Sequence, residues 1–308
     1  MTRVIAHRGA SGYLPEHTLA AKVLAYGMGA DFIEQDVIAT ADGELVVLHD
    51  TYLDDVSDVA QKYPDRASDD GHFYVIDFTL AELADLNLVE RRQSGSDDLR
   101  FPNRFPFDLP AFKISKFEDE LRLIAGLNAS SGRHVGIYPE IKDPGWHLAH
   151  EFDLTEKLNA ALVANRELIS GPIFVQSFES RVLERLKTEM AAEWPLVQLL
   201  ERRDAERLAG DQAAMGKIAA YAEGVGLPFE TLIEPRRVNG RAAATRLANE
   251  LIEAGLKLHP YTLRRDVRPE GDIDYFETLD FLIHDLKVDA IFCDHPDDAL
   301  NIRARRSA

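Results

Sequence analysis

Within its first fifty residues the chain sets two histidines, an arginine and two carboxylates at or near the ends of apolar, β-type runs. They are His7 and Arg8 in Val4-Ile5-Ala6-His7-Arg8-Gly9, the pair in Glu34-Gln35-Asp36, and His49 in Leu45-Val46-Val47-Leu48-His49-Asp50. Such a set can handle a phosphate ester. Histidine gives or takes a proton near neutral pH. Arginine grips phosphate oxygens through two parallel hydrogen bonds. Paired carboxylates hold a hard divalent cation.

Strand geometry sorts these residues further. Side chains at i and i+2 share a face, so Glu34 and Asp36 point together, as do Glu140 and Lys142 in Tyr138-Pro139-Glu140-Ile141-Lys142. Carboxylates facing a barrel interior are costly unless protonated or metal-bound. Three from two strands suit Ca²⁺ or Mg²⁺. Among the other histidines, His72, His134, His147, His150 and His284 carry no motif. His17 follows Leu14-Pro15-Glu16 and is expected to cap a helix, while His295 follows the last strand and is placed within reach of the site. His259, like His7 and His49, ends an apolar β run, where barrels set their catalytic side chains.

The elements that must position these residues are eight β-rich runs at 4–7, 32–38, 136–141, 173–178, 196–200, 224–227, 257–261 and 290–293, alternating with helical patterns. Capping signals open several helices: Thr79-x-x-Glu82, Ser115-x-x-Glu118, Asp153-x-x-Glu156 and Asp274-x-x-Glu277. The alternation predicts an α/β fold of the (β/α)8, or TIM barrel, type, with an open doubly wound sheet as the alternative. From 51 to 113 the chain is polar, rich in Asp, Pro and Arg, with one short helix expected at 79–88. This is too long for an ordinary loop. It reads as an insertion after the 45–49 strand, within one domain spanning 1–308, and as either a wall of the pocket or a surface elaboration.

Composition narrows the partners. A formal charge of −18 repels nucleic acid and anionic membrane surfaces. It also repels a phosphate ester at long range, so phosphate chemistry here requires a local reversal of sign from a cation, Arg8 and lysine. No run is long enough to span a bilayer. The sole cysteine, Cys293, excludes an intramolecular disulfide and a cysteine-based metal site. No leader pattern precedes the first strand; the expectation is a cytoplasmic protein if the N-terminus is complete, and a periplasmic one if a leader has been removed.

The ordered set of motifs resembles the glycerophosphodiester phosphodiesterases. The likeness runs through His7-Arg8-Gly9-Ala10-Ser11-Gly12-Tyr13-Leu14-Pro15-Glu16-His17-Thr18, Glu34-x-Asp36, Val47-Leu48-His49-Asp50, Ile137-Tyr138-Pro139-Glu140-Ile141-Lys142, Val175-Gln176-Ser177-Phe178 and His259-Pro260-Tyr261-Thr262. The long insertion is similar to that of the bacterial periplasmic branch. The resemblance implies a TIM barrel that hydrolyses deacylated phospholipids such as glycerophosphocholine to sn-glycerol 3-phosphate and an alcohol. It implies one divalent cation on Glu34, Asp36 and Glu140, Ca²⁺ favoured and Mg²⁺ the alternative. It implies His7 and His49 as the acid–base pair, with His49 the base. Arg8 and Lys142 would hold the phosphate, Glu16 would support them, and Phe178 and Tyr261 would line the glycerol pocket. The nucleophile it implies is the substrate's own neighbouring glycerol hydroxyl, through a cyclic phosphate that water then opens. The expected partner is this small molecule, with no nucleic acid, no membrane insertion, and a monomeric or homodimeric state.

Some features depart from the family pattern. Cys293-Asp294-His295-Pro296 has a histidine where an aromatic is usual, which predicts a more polar pocket wall. His17 replaces the commoner asparagine, and 201–215 is shorter than in the periplasmic branch. Two other readings compete. A phospholipase of the same barrel class would need an apolar rim, whereas the insertion is acidic. A non-catalytic barrel would lack one of the histidines or carboxylates, and all are present.

Overall fold

The apolar runs become strands because both of their faces are covered. The computed structural model describes residues 1–305. Its strands are β1 (Arg3–Ala6), β2 (Phe32–Ala39), β3 (Leu45–Val47), β4 (Gly136–Ile141), β5 (Val175–Ser177), β6 (Leu196–Leu199), β7 (Gly224–Gly226), β8 (Lys257–Leu258) and β9 (Ala290–Cys293). Every position of β2 and β4 is buried, as parallel strands between a filled barrel and a helical ring require. The parallel order is β8-β7-β6-β5-β4-β2-β1-β9. Its two ends meet: Asp289 N–H donates to Leu258 O at 3.0 Å, Phe292 N–H to Pro260 O at 3.0 Å, and Leu263 N–H to Phe292 O at 2.9 Å. The result is the TIM barrel that the alternation predicts.

The strands are shorter than the apolar runs. The run at 257–261 keeps two strand residues, and Pro260, lacking an N–H, cannot continue the ladder. His7, His49, Lys142, Phe178 and Tyr261 all lie just past the ends of their strands, where the backbone opens into the mouth loops. β3 is no barrel strand. It runs antiparallel to β2, pairing Val37 with Val47 and Ala39 with Leu45, and so turns the chain back into segment 51–113.

That segment is less polar in its packing than in its composition. Leu53, Val56, Val59, Phe73, Val75, Phe78, Leu83, Leu86, Leu88 and Phe112 bury together against Ile38, Val46 and Leu48, apart from the main core. Its expected helix forms as Leu80–Asp85, opened by a full Thr79–Glu82 capping box. A second short helix at Val59–Lys62 was not legible. The Ser115 signal misleads: Lys116 is the N-cap of helix Phe117–Ser131, and Ser115 Oγ instead donates to Glu120 at 2.8 Å. Asp153 and Asp274 cap as their spacing predicts.

Candidate active site

β1, β2 and β4 deliver most of the charged side chains. Asp36 and Glu140 are register partners on adjacent strands, so they face the same side of the sheet. Glu34 and Asp36 are each 1% exposed and Glu140 6%. Arg8 N–H donates to Glu34 Oε2 at 2.6 Å. Lys142 Nζ stands 2.9 Å from Glu140 Oε1, and Arg8 Nε 3.2 Å from Asp36 Oδ2. Burial, with Asp36 and Glu140 alongside, holds the Glu34 carboxyl well above its ordinary range. Burial and Asp36 push Glu140 up to about 8 against the opposing effect of Lys142. Burial would also raise Asp36, but Lys142, the His17 hydrogen bond, His49 and Arg8 hold it well below.

The loop after β1 is bent tightly to make this possible. Arg8 and His17 both take left-handed backbone angles, φ 59° and 61°, an uncommon conformation for non-glycine residues that persists where surroundings over-determine it. Here His17 N–H donates to Arg8 O at 3.0 Å. Gly9 is required between them, because a Cβ there would stand 2.8 Å from the Ala21 backbone.

His17 does not cap the helix. Thr18 does, accepting from Ala21 N–H. His17 is instead fully buried and, with Glu34 and Asp36, completes a cluster whose potential metal-ligand atoms lie within 4.8 Å of one another. Its Nε2 is 2.8 Å from Asp36 Oδ2 and its Nδ1 3.2 Å from Lys22 Nζ. A lysine ammonium can only donate, so Nδ1 accepts and Nε2–H donates to Asp36. Burial and Lys22 lower the ring to about 3, keeping it neutral. With both nitrogens engaged, His17 orients Asp36 rather than offering a lone pair. Lys22 also donates to Glu34 O and pairs with Glu120 at 3.4 Å.

The two candidate catalytic histidines share one architecture. His7 Nδ1 meets Asp294 Oδ1 at 2.7 Å, and His49 Nδ1 meets Asp50 Oδ1 at 2.6 Å. Each carboxylate is backed by an arginine of the insertion. Arg104 reaches Asp294 Oδ2 at 2.7 Å and also Asp266; Arg91 reaches Asp50 Oδ2 at 2.6 Å and clasps Glu16 at 2.6 and 3.0 Å. Arg8 grips Glu16 from the other side, at 3.0 Å to both oxygens. The carboxylates therefore fix the Nδ1–H tautomers and leave each Nε2 to a cavity of about 600 Å³ that His7, Arg8, Glu16 and His49 line. Burial, Arg8 and Arg264 lower His7 to about 4 against the pull of Asp294. Burial, Arg8 and Lys142 likewise lower His49.

On the other side of Lys142 lies an aromatic pair. The rings of Phe178 and Tyr261 meet edge to face at 6.1 Å, Lys142 Nζ stands 5.9 Å from the Phe178 ring, and Tyr261 OH donates to Leu200 O. Every site residue expected from the sequence thus lies at the C-terminal face of the barrel. His259 and His295 do not join them. His259 lies at the opposite end, lining a cavity with Arg3, Phe32 and Phe174. His295 packs on Tyr13 at 5.1 Å and fills the space beside Gly12, so the expected polar pocket wall does not form there.

The chain matches the Glycerophosphoryl diester phosphodiesterase family over residues 7–298. It is 38% identical to the glycerophosphodiester phosphodiesterase of Haemophilus influenzae, covering 96% of this chain and 87% of that protein. It is 33% identical to that of Treponema pallidum, covering 96% and 89%. The chain belongs to the glycerophosphoryl diester phosphodiesterase family. It is accordingly an enzyme, a phosphoric diester hydrolase acting on glycerophosphodiesters. Solved structures share the fold. A glycerophosphodiester phosphodiesterase of Thermotoga maritima superposes with a TM-score of 0.60 at 17% identity, covering 99% of both chains. An Oleispira antarctica phosphodiesterase in complex with the product sn-glycerol-3-phosphate gives 0.63 at 21%, covering 98% and 96%.

For a member of this family the buried carboxylates fit a divalent cation. Glu34 and Glu140 are held toward neutrality by burial and by the neighbouring Asp36 carboxylate, and Glu34 and Asp36 each keep one oxygen outside the hydrogen bonds given above. His7, Arg8, Glu34, Asp36, His49 and Glu140 all lie within the family motifs. Arg91, Arg104 and Arg264 lie outside those motifs, in segments without a regular pattern.

Proposed function

We propose that the enzyme hydrolyses glycerophosphodiesters such as glycerophosphocholine to sn-glycerol 3-phosphate and an alcohol, with His7 and His49 as its acid–base pair and one divalent cation on Glu34, Asp36 and Glu140. One observation carries the reading: two imidazoles, each with Nδ1 held by a carboxylate, line the same cavity beside Arg8. The Oleispira antarctica phosphodiesterase in complex with sn-glycerol-3-phosphate supports the product.

His49 takes the proton of the neighbouring glycerol hydroxyl as its oxygen bonds to phosphorus. His7, protonated at Nε2, gives a proton to the alkoxide as the old P–O bond breaks, which leaves a cyclic phosphate and the free alcohol. Water then opens the ring: it loses a proton to His7 as its oxygen bonds to phosphorus, and the glycerol oxygen leaves with the proton held by His49. The step yields sn-glycerol 3-phosphate and restores both starting protonation states. Resting His7 is neutral because burial and two arginines disfavour its charge; an anionic phosphate alongside offsets the arginines, and Asp294 receives the imidazolium. Each proton transfer is worth about 10²–10⁴-fold. Arg8 and Lys142 hold the phosphate oxygens, Glu16 keeps Arg8 in place, and Phe178 with Tyr261 seats the glycerol carbons. When bound, the cation, Ca²⁺ or Mg²⁺, neutralises charge on the phosphate oxygens. The insertion at 51–113, with an apolar cluster of its own, supports the insertion-bearing periplasmic branch and a single catalytic unit walled by that segment.

The test is release of glycerol 3-phosphate from glycerophosphocholine with Ca²⁺, with Mg²⁺ and with a chelator. No release under any condition refutes the substrate assignment; release indifferent to the chelator refutes the cation.

A further inference from the structure

The cavity of about 600 Å³ extends away from the histidines toward the insertion. Lys142, Phe178 and Tyr261 do not line it; Tyr52, Arg100, Phe101 and Arg264 do. With the glycerol on the Phe178–Tyr261 side, as proposed above, this cavity is the room left for the departing alcohol.

Most charges along it are already matched. Glu16 is held by Arg8 and Arg91, and Asp50 by His49 and Arg91. Asp294 is held by His7, Arg104 and Arg264, and Arg104 divides its guanidinium between Asp294 and Asp266. Arg264 differs. It commits only Nε, 2.9 Å from Asp294 Oδ2, and its two terminal amino groups have no hydrogen bond among the described residues. Its side chain is 27% exposed, so those groups open onto the cavity it lines. Arg100, on the same wall, makes no ion pair among the described residues. The Phe101 ring lies 5.8 Å from the Arg264 guanidinium and 5.9 Å from that of Arg100. The lining carboxylate outside these pairs is Asp55, whose pKa burial raises toward the neutral form. The cavity therefore keeps the terminal amino groups of Arg264, with Arg100 beside them, open to a ligand inside a protein of net −18.

We propose that Arg264, with Arg100 beside it, selects diesters whose departing alcohol carries a further negative charge, a second phosphate or a carboxylate. Asp294 makes this a coupled device. One oxygen fixes His7, and the other aims the Arg264 fork, whose planar amino groups suit phosphate and carboxylate alike. The inference rests on the function proposed above and goes beyond it by naming the alcohol.

The experiment compares kcat/KM for four diesters: glycerophosphocholine, glycerophosphoglycerol, glycerophosphoserine, and bis(glycerophospho)glycerol, whose departing alcohol carries a second phosphate. The intact enzyme is expected to favour one or both of the last two over glycerophosphoglycerol by roughly tenfold, the scale of one added charge-assisted hydrogen bond. Which of them it favours separates phosphate from carboxylate. Arg264→Gln is expected to remove that ratio, chiefly through KM for the anionic substrate, and Arg264→Lys to retain much of it. Arg100→Gln should lower the ratio less, and it keeps the test open if the Arg264 variants misfold. Loss of rate by one common factor on all four diesters in Arg264→Gln would reduce Arg264 to a positioning residue for His7 and overturn the proposal. So would equal turnover of all four by the intact enzyme, which leaves the hydrolase reading standing. Turnover of none would overturn that reading and this proposal with it.

Discussion

The two ends of the barrel each bury histidine, and they use it differently. At the C-terminal face, His7 and His49 are held through Nδ1 by Asp294 and Asp50, and each carboxylate is backed by an insertion arginine. At the N-terminal face, His259 Nδ1 meets the Tyr138 hydroxyl at 2.6 Å, and its ring lies edge to face with Phe174 at 5.4 Å. A phenol satisfies a buried imidazole without supporting its charge. A carboxylate stabilises the imidazolium that a proton transfer creates. An apolar run ending in histidine therefore does not separate His7 and His49 from His259; what separates them is the carboxylate on Nδ1 and the cavity that both rings line.

The sharpest way to break this contrast is to delete the rings. His7→Ala or His49→Ala should lower kcat by about 10²–10⁴-fold or more in a folded protein. His259→Ala should leave kcat within a few-fold and instead cost about 1–3 kcal/mol in stability, because Tyr138 loses its partner. Circular dichroism and steady-state kinetics on the three variants would decide it. A His259 variant as inactive as His7→Ala would end the distinction.

A second test addresses the charge that separates the two ends. Glu34→Gln should weaken Ca²⁺ or Mg²⁺ binding about 10–100-fold in a calorimetric titration, the scale seen when metal-site groups are lost. An unchanged titration would remove Glu34 from the ligand set. A third concerns the insertion. Arg91→Ala leaves Glu16 and Asp50 buried without their shared cation, which should cost about 3–5 kcal/mol and loosen His49. Chemical denaturation read beside activity would show both, and a fully stable variant would mean that water or rearrangement replaces the arginine.

How much of this was legible follows from what reaches across the fold. β2, β4 and β9 could be read because both faces of those strands are buried, which writes an unbroken apolar run into the chain. β8 was read too long, because the apolar run continues past the point where Pro260, lacking an N–H, stops the ladder. His7, Arg8, Glu34, Asp36, His49 and Glu140 were visible as polar residues interrupting such runs. Asp294 sits 287 residues from His7, and Arg91 lies 41 residues beyond Asp50. No local periodicity encodes such pairings, and Arg91 and Arg104 were lost in a segment whose charge hid its buried apolar cluster. His17 was misread for a related reason: its neighbours suggested a cap, but Thr18 does that job and frees His17 to turn inward.

The smallest effect is the most discriminating, because it reads the N-terminal end alone. Burial, with Lys257 adding to it, lowers His259 to about 3, whereas the unfolded chain titrates near the ordinary 6.5. Between those values the unfolded state binds one proton more, so stability is present above 6.5 and is lost as pH falls toward 3. The slope for one such group is about 1.4 kcal/mol per pH unit. His7, at about 4, and His17, at about 3, contribute with the same sign. His259→Phe removes one member of that set. It leaves Tyr138 unpartnered at every pH, a constant offset that does not alter the slope. Urea midpoints should therefore lie lower than those of the intact protein at pH 7 but fall less steeply toward pH 4, by about one proton, so that the two curves converge in acid. An unchanged slope would mean that His259 is already charged in the folded protein, and the two ends of the barrel would then differ in geometry but not in the charge they permit.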